Sequence, residues 1–305
     1  ILIFTVISIW AMQLQAQETA KDDARYLNSA ERMLQAQTNL SIGGYGGVHY
    51  NQPLISGQRN NGKLDVHRFI MLMGYRFSAK TRFLSEIEFE HVEEVYIEQA
   101  FLQHQLTNSM YLRAGLVLIP MGIINEYHEP TTFFSVERPM LDKRIAPTTW
   151  REIGAGLNGT ILGASLKYQL YVVNGFSGYD GGARFNGADA LRGGRQKAAK
   201  SYISSPNLTG KVEYYGIRGL NIGLSAYWGN SQSKLYNGLA NDQDQALEQA
   251  DSSVVGISML GLDARYSHSG WQVRGQLYYT ALGNTPAYNE FTAPEAGQSN
   301  DLGSA

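Results

Sequence analysis

The chain has 305 residues, 25 Lys and Arg against 27 Asp and Glu, a formal charge of −2 and no cysteine. That balance excludes a nucleic-acid partner, because no basic excess exists to neutralise phosphates. After the first twelve residues the sequence holds no apolar run long enough for a transmembrane helix. Its 33 glycines, 19 tyrosines and 8 prolines point to one large β structure rather than two soluble domains.

Residues 1–16 read as a signal peptide. ILIFTVISIWAM is an apolar stretch too short to span a bilayer, and QLQA offers a cleavage point after Ala16. No initiator methionine precedes Ile1, so the chain reads as clipped at its start. Residues 17–38 form a polar, helix-prone periplasmic leader in which Tyr26, Leu27, Ala30, Met33 and Leu34 share one helical face. The sequence leaves open whether this leader plugs, tethers, oligomerises or stays flexible.

From Asn39 the period switches to two. Strands are predicted at 39–50, 64–77, 82–91, 95–106, 110–119, 153–162, 164–174, 207–216, 219–228, 253–266 and 270–281. In 271–279, for example, Trp271, Val273, Leu277 and Tyr279 oppose Gln272, Arg274 and Gln276. Short links and long ones alternate, the link near His91 being the single short one on the long side. Greek-key sandwiches give no reason for such alternation. Short inner turns and long outer loops are what an up-and-down transmembrane β-barrel shows, and with no helical span a barrel is the membrane-crossing structure left. Tyr168, Tyr171, Tyr214, Tyr215, Tyr227, Trp228, Trp271, Tyr278 and Tyr279 lie near strand ends, where an interfacial belt is expected. Eleven strands is an odd count, whereas bacterial single-chain barrels have even ones. The expectation is therefore an incomplete all-β barrel over 39–305, an open sheet lacking several C-terminal strands.

With apolar positions facing lipid, the opposite phase faces a lumen. It carries Arg68, Arg76, Glu86, Glu88, Glu90, Arg113, Lys167, Lys211, Glu213, Asp263, Arg265 and Arg274. A Lys or Arg on the lipid side would cost roughly 2–4 kcal/mol at the midplane, which enforces this phase. Mixed signs there suit either a selectivity lining or cross-strand ion pairs.

The long link 120–152 holds Pro120, Pro130, Pro139 and Pro147, half of the 8 prolines. Its charged residues and histidine are Glu126, His128, Glu129, Glu137, Arg138, Asp142, Lys143, Arg144 and Arg151, joined by Glu152. A free surface loop would not carry Ile123, Ile124, Phe133, Phe134, Val136, Met140, Leu141 and Ile145. The link is expected to fold inward as a size and charge filter.

Signals for enzyme chemistry are poor. The 6 histidines are scattered without metal-ligand spacing, so neither a metal nor a cofactor is expected. Gly43–Gly47 lies inside a strand and reads as close-packed or bulged rather than as a phosphate loop. The basic link 175–206 and the acidic link 229–252 read as solvated outer loops, with contact to a solute or partner at the cell surface as the alternative.

The blocks LDVHRFIMLMGYRFSAKTRFLSEIEFEH, IEQAFLQHQL, LRAGLVLIPMGIINEYHEPTTFFSVERP and TTWREIGAGLNG resemble outer-membrane porins of the phosphate-selective porin O/P type, in the form seen in Bacteroidetes. The likeness covers residues 40–175, and its most specific segments, Gly115–Pro130 and Thr148–Glu152, border the link. It implies a 16-stranded, often homotrimeric channel in a Gram-negative bacterial outer membrane, in contact with outer-membrane lipid and open to small hydrophilic solutes or ions, with anion preference in some members. Phosphate selectivity does not carry over, because Glu86, Glu88, Glu90, Glu213 and Asp263 interrupt the basic ladder on which the family relies. A structural or adhesive outer-membrane barrel is the second function class, and an outer-membrane hydrolase a distant third.

Overall fold

The computed structural model describes residues 27–129, 133–134, 141–294 and 300–303. The predicted signal peptide and the first part of the leader lie outside them. A short helix α1 (Ser29–Leu34) opens the described chain. Its N-cap Asn28 accepts from the Glu31 N–H while Glu31 reaches back to the Asn28 N–H, a reciprocal capping box.

Eleven strands follow in one antiparallel sheet: β1 (Leu40–Asn51), β2 (Lys63–Arg76), β3 (Thr81–Glu90), β4 (Glu94–Gln105), β5 (Met110–Leu118), β6 (Arg151–Ile161), β7 (Leu166–Val173), β9 (Asn207–Ile217), β10 (Leu220–Asn230), β12 (Gly256–His268) and β13 (Trp271–Gly283). Each pairs with the next in chain order, so the topology is a pure meander with β1 and β13 at the two ends of the order. This is an up-and-down barrel wall whose sheet is open. Two very short strands, β8 (Ser177–Tyr179) and β11 (Gln232–Ser233), pair in parallel between the outer links; neither has enough length to register as alternation in the sequence. The helices α2 (Leu141–Arg144), α3 (Asp244–Ser252) and α4 (Thr285–Phe291) lie in connections or after the last strand.

Local chemistry sets the short links. Ser78 Oγ accepts from the Lys80 and Thr81 N–H groups and closes β2–β3, while Gly219 and Gly270 take the positive φ of their two-residue turns. Gly44 permits close strand approach, since a Cβ there would stand 2.4 Å from the Ile70 carbonyl oxygen. The ladder slips between Gly47 and Val48, so the glycine run is indeed close-packed and bulged.

The two faces differ in kind. Val48, Phe69, Ile97, Leu112, Ile153, Leu170, Val212, Leu224, Leu262 and Leu277 lie exposed on one face, spread over ten of the eleven strands, and β3 adds Phe83 and Phe89 in the same phase. The other face is covered by the long connections. Between them sits the core: Ile70, Leu84, Phe101, Val117, Ile119, Met121, Trp150, Phe176, Phe185, Tyr227, Met259 and Tyr288. Trp150 stacks on Phe176 at a centroid distance of 4.5 Å. The hydrophobic cluster is therefore inside the sheet's curve of connections, separate from the exposed apolar face.

The aromatic belt needs a correction. Trp228, Trp271, Tyr279 and Tyr214 do lie on the open face. Tyr171 and Tyr227, however, are fully buried on the covered face, where their hydroxyls bond to Gln169 and Asn207. Neighbouring residues of a strand point to opposite sides, so in a pair such as Tyr227-Trp228 one ring of the two must face inward.

Candidate constriction and pore lining

The connection 119–150 leaves β5 and returns to β6 through a polar staple. The Ile119 N–H donates to the Trp150 carbonyl at 3.0 Å. Asn125 completes the closure: its Nδ2 donates to the carbonyls of Ile119 and Trp150 at 2.7 and 2.8 Å, and its Oδ1 accepts from the Trp150 N–H at 2.7 Å. With its ends tied, the segment lays its described residues near Gly122 and Ile123 against the covered face. It reaches the far strands, where the Gly122 carbonyl accepts from Lys211 Nζ at 2.7 Å and the Ile123 N–H donates to Gln276 at 3.2 Å. Ile123 and Ile124 are buried. Phe134 is exposed instead, under the Arg274 guanidinium at 3.6 Å from its ring centroid. Val136 and Met140 lie outside the described residues, as do Glu137 and Arg138.

Two charged clusters form where this segment meets the wall. In the first, Lys211 Nζ lies 3.1 Å from Glu126, 3.3 Å from Asp263 and 3.5 Å from Glu213. Arg265 bonds Glu213 at 2.6 Å and covers the Tyr127 ring at 4.4 Å. Glu126 also accepts from Gln169. The second cluster holds Arg68 with Glu88 at 3.2 Å and Glu90 at 3.7 Å, and Arg151 with Glu98 at 2.8 Å. His128 Nε2 stands 3.6 Å from both Glu86 and Glu98. Asp142 reaches across to Gln276 at 2.6 Å.

Other predicted residues lie apart. Arg113 bonds Gln103 at 2.8 Å and caps the Phe101 ring at 4.3 Å. Lys167 lies 6.0 Å from the Tyr215 ring. Arg76 is tied to Asn39 at the short-turn end. Lys143 is exposed, and its carbonyl accepts from Arg192 at 3.1 Å. The Arg144 side chain lies outside the described set. Glu129 accepts from the Ser29 N–H of α1 at 2.6 Å. Glu152 turns away from the charged clusters, accepting from Trp150 Nε1 and the Gly175 N–H, each at 2.7 Å.

Several residues of the site escaped the sequence reading. Glu98 is one: the β3–β4 ladder slips between Glu86 and Ile87, leaving Glu98 as the extra residue and turning both Glu98 and Gln99 inward. The basic link is another. Arg195 Nη1 donates to the carbonyls of Thr148 and Thr149 at 2.8 and 3.2 Å, and Arg192 to that of Thr148 at 3.0 Å, so these cations clamp the constriction instead of being merely solvated. Three histidines are not scattered either, since His49, His67 and His91 gather at the outer end of β1–β4.

Cavities flank the constriction. At the short-turn end, about 620 Å³ is lined by Lys80, Arg82, Arg113 and Lys167 against Glu31 and Glu213, four cations to two carboxylates. At the outer end, about 100 Å³ is lined by Arg68, Arg151, Arg192, Arg195 and Lys197 against Glu88, Glu90 and Glu98, five to three. Helix α1 borders the inner cavity and is pinned to the constriction, Asn28 Nδ2 donating to the Glu126 carbonyl at 2.9 Å. Burial there pushes the Glu31 carboxyl above its ordinary value, against the pull of Lys167.

No family model matches the chain. A protein of Aquifex aeolicus (strain VF5), described as an uncharacterized protein, is 32% identical over 272 residues, 86% of this chain; the chain spans only 57% of that relative's length. Among solved structures, the chain is similar to the outer membrane channel DcaP of Acinetobacter baumannii, with 12% identity, a TM-score of 0.47, and 81% of this chain and 65% of that one covered. It is also similar to a loop L8 deletion mutant of OmpT, an outer membrane protein of Vibrio cholerae, with 10% identity, a TM-score of 0.39, and 81% and 84% covered.

Proposed function

We propose that the chain forms the wall and constriction of a bacterial outer-membrane channel for passive diffusion of small hydrophilic solutes or ions, with a weak preference for anions and no enzymatic activity. The observation that carries this reading is the connection 119–150, stapled at both ends and ion-paired to the opposite wall beneath an apolar outer face. An exposed apolar surface running round the sheet suits lipid and would aggregate in water. Charged residues on the covered face suit a wet passage. The anion preference rests on the two flanking cavities, both of which carry two more cations than carboxylates. The homotrimer implied by the resemblance belongs to the same reading; phosphate selectivity does not.

One observation favours the second reading, a barrel without open-channel activity: α1 docks directly on the constriction and narrows the inner cavity. Planar-bilayer recording separates the two. The channel reading predicts stepwise conductance and, in a KCl gradient, a reversal potential of the sign set by chloride. Absence of any conductance, both from the chain and from a variant lacking residues 27–38, contradicts the channel. A reversal potential at zero or of potassium sign contradicts the anion preference alone.

A further inference from the structure

Away from the constriction, the outer end of β1–β4 brings His49, Asp65, His67 and His91 together. Asp65 Oδ2 lies 2.7 Å from Nδ1 of His91 and 3.5 Å from Nδ1 of His67. One donor atom from each of Asp65, His67 and His91 lies within 4.8 Å of the other two. His49 stands directly across the ladder from Asp65, and its ring stacks on that of His67 at 4.2 Å.

Two irregularities of the backbone build this corner. Gly47 pairs with Arg68 and Val48 with Val66, so His67 is an extra residue without a cross-strand partner. The bulge shifts the phase of β2. Without it, Asp65 and His67 would share the lipid-facing side with Phe69; with it, they turn to the covered side beside Arg68. The second irregularity is the turn from β3 to β4. His91 and Val92 both hold positive φ, 54° and 69°, where a β-branched residue is a true outlier. That turn points His91 back at Asp65. Strain of this kind persists where surrounding contacts over-determine it, and it concentrates at binding sites.

We propose that Asp65, His67 and His91 bind a divalent first-row transition-metal ion at the outer rim, with His49 stacked behind His67. Imidazole and carboxylate together suit zinc, nickel, copper and ferrous iron rather than calcium or magnesium. Donors about 2.0–2.2 Å from a tetrahedral zinc stand roughly 3.3–3.5 Å apart, so the separations at Asp65 bracket what the ion needs. Two nearby cations oppose the site: Arg68 Nη2 lies 3.3 Å from His67 Nε2, and Lys63 at the start of β2 acts on Asp65 and His91. That guanidinium is itself tied to Glu88 and Glu90, and it leaves His67 Nδ1 on the Asp65 side for the metal.

The test is titration of zinc chloride into the folded full chain in detergent micelles, in competition with a chromophoric chelator. One ion per chain is expected, with Co²⁺ giving the absorption bands of a low-symmetry site. His91→Ala lies on an exposed turn and leaves the wall intact, which heat-dependent gel migration verifies. It and Asp65→Asn should each weaken zinc binding by at least about tenfold, while His104→Ala, at the far end of β4, should leave it unchanged. The proposal is overturned if the unchanged chain takes up no zinc at millimolar concentration. It is equally overturned if the double variant His67→Ala/His91→Ala binds as tightly as the unchanged chain, since the cluster is then only a hydrogen-bonded clamp.

Discussion

Lys211 shows what a single residue does here. Its ammonium is fully buried and faces three carboxylates, one from the constriction and two from the wall. Removing one partner of a buried ion pair leaves charges uncompensated and typically costs about 3–5 kcal/mol, whereas a solvated pair is worth about 1 kcal/mol or less. Lys211→Met is therefore expected to destabilise the folded barrel by about 3–5 kcal/mol, read as a lower urea midpoint in a gel-migration assay. A loss under about 1 kcal/mol would mean that water reaches the cluster and that Lys211 lines the passage rather than anchoring the constriction. Asn125 acts differently. It carries no charge, yet its amide ties both ends of the connection and so sets the loop's geometry.

At the scale of elements, α1 depends most on its neighbours for its order. It is six residues long, too short to hold as an isolated helix. Its order comes from the capping box, from Met33 and Leu34 packed on the core, and from Glu126 and Glu129. The docked helix holds the Glu31 proton more tightly than a released one, because burial raises that carboxyl above its ordinary 4.5. The stabilisation is thus fully present below the ordinary value and is lost as pH rises through the raised one. Conductance is expected to increase across that window, and Glu31→Gln should flatten the profile. An unchanged profile in Glu31→Gln would place the pH response on other groups.

Elements also show why some of this was legible and some not. Ten-residue alternation and the rhythm of short and long links placed all eleven wall strands within a few residues of their ends. The apolar face of α1 was readable too, since Ala30, Met33 and Leu34 do pack inward. Bulges were not. At His67 and at Glu98 one extra residue reverses the phase that the reading relied on, and nothing in residue type announces it. Glu98 was missed for that reason, and the histidine corner for that and for the positive-φ turn at His91 and Val92. Arg192 and Arg195 were missed for another: contacts between two long links depend on how both fold, and neither has a period.

The whole molecule joins three surfaces. One face is apolar and exposed, the covered face carries paired charges, and a stapled connection lies against that face between two positively lined cavities. In the proposed channel this connection sets the width of the passage. Single-channel conductance of the chain, compared with a variant in which residues 122–148 are replaced by a short Gly-Ser link, tests it most directly. Conductance is expected to be several times larger in the variant, with weaker dependence on solute size in liposome-swelling assays. Equal conductance in the two proteins would contradict it.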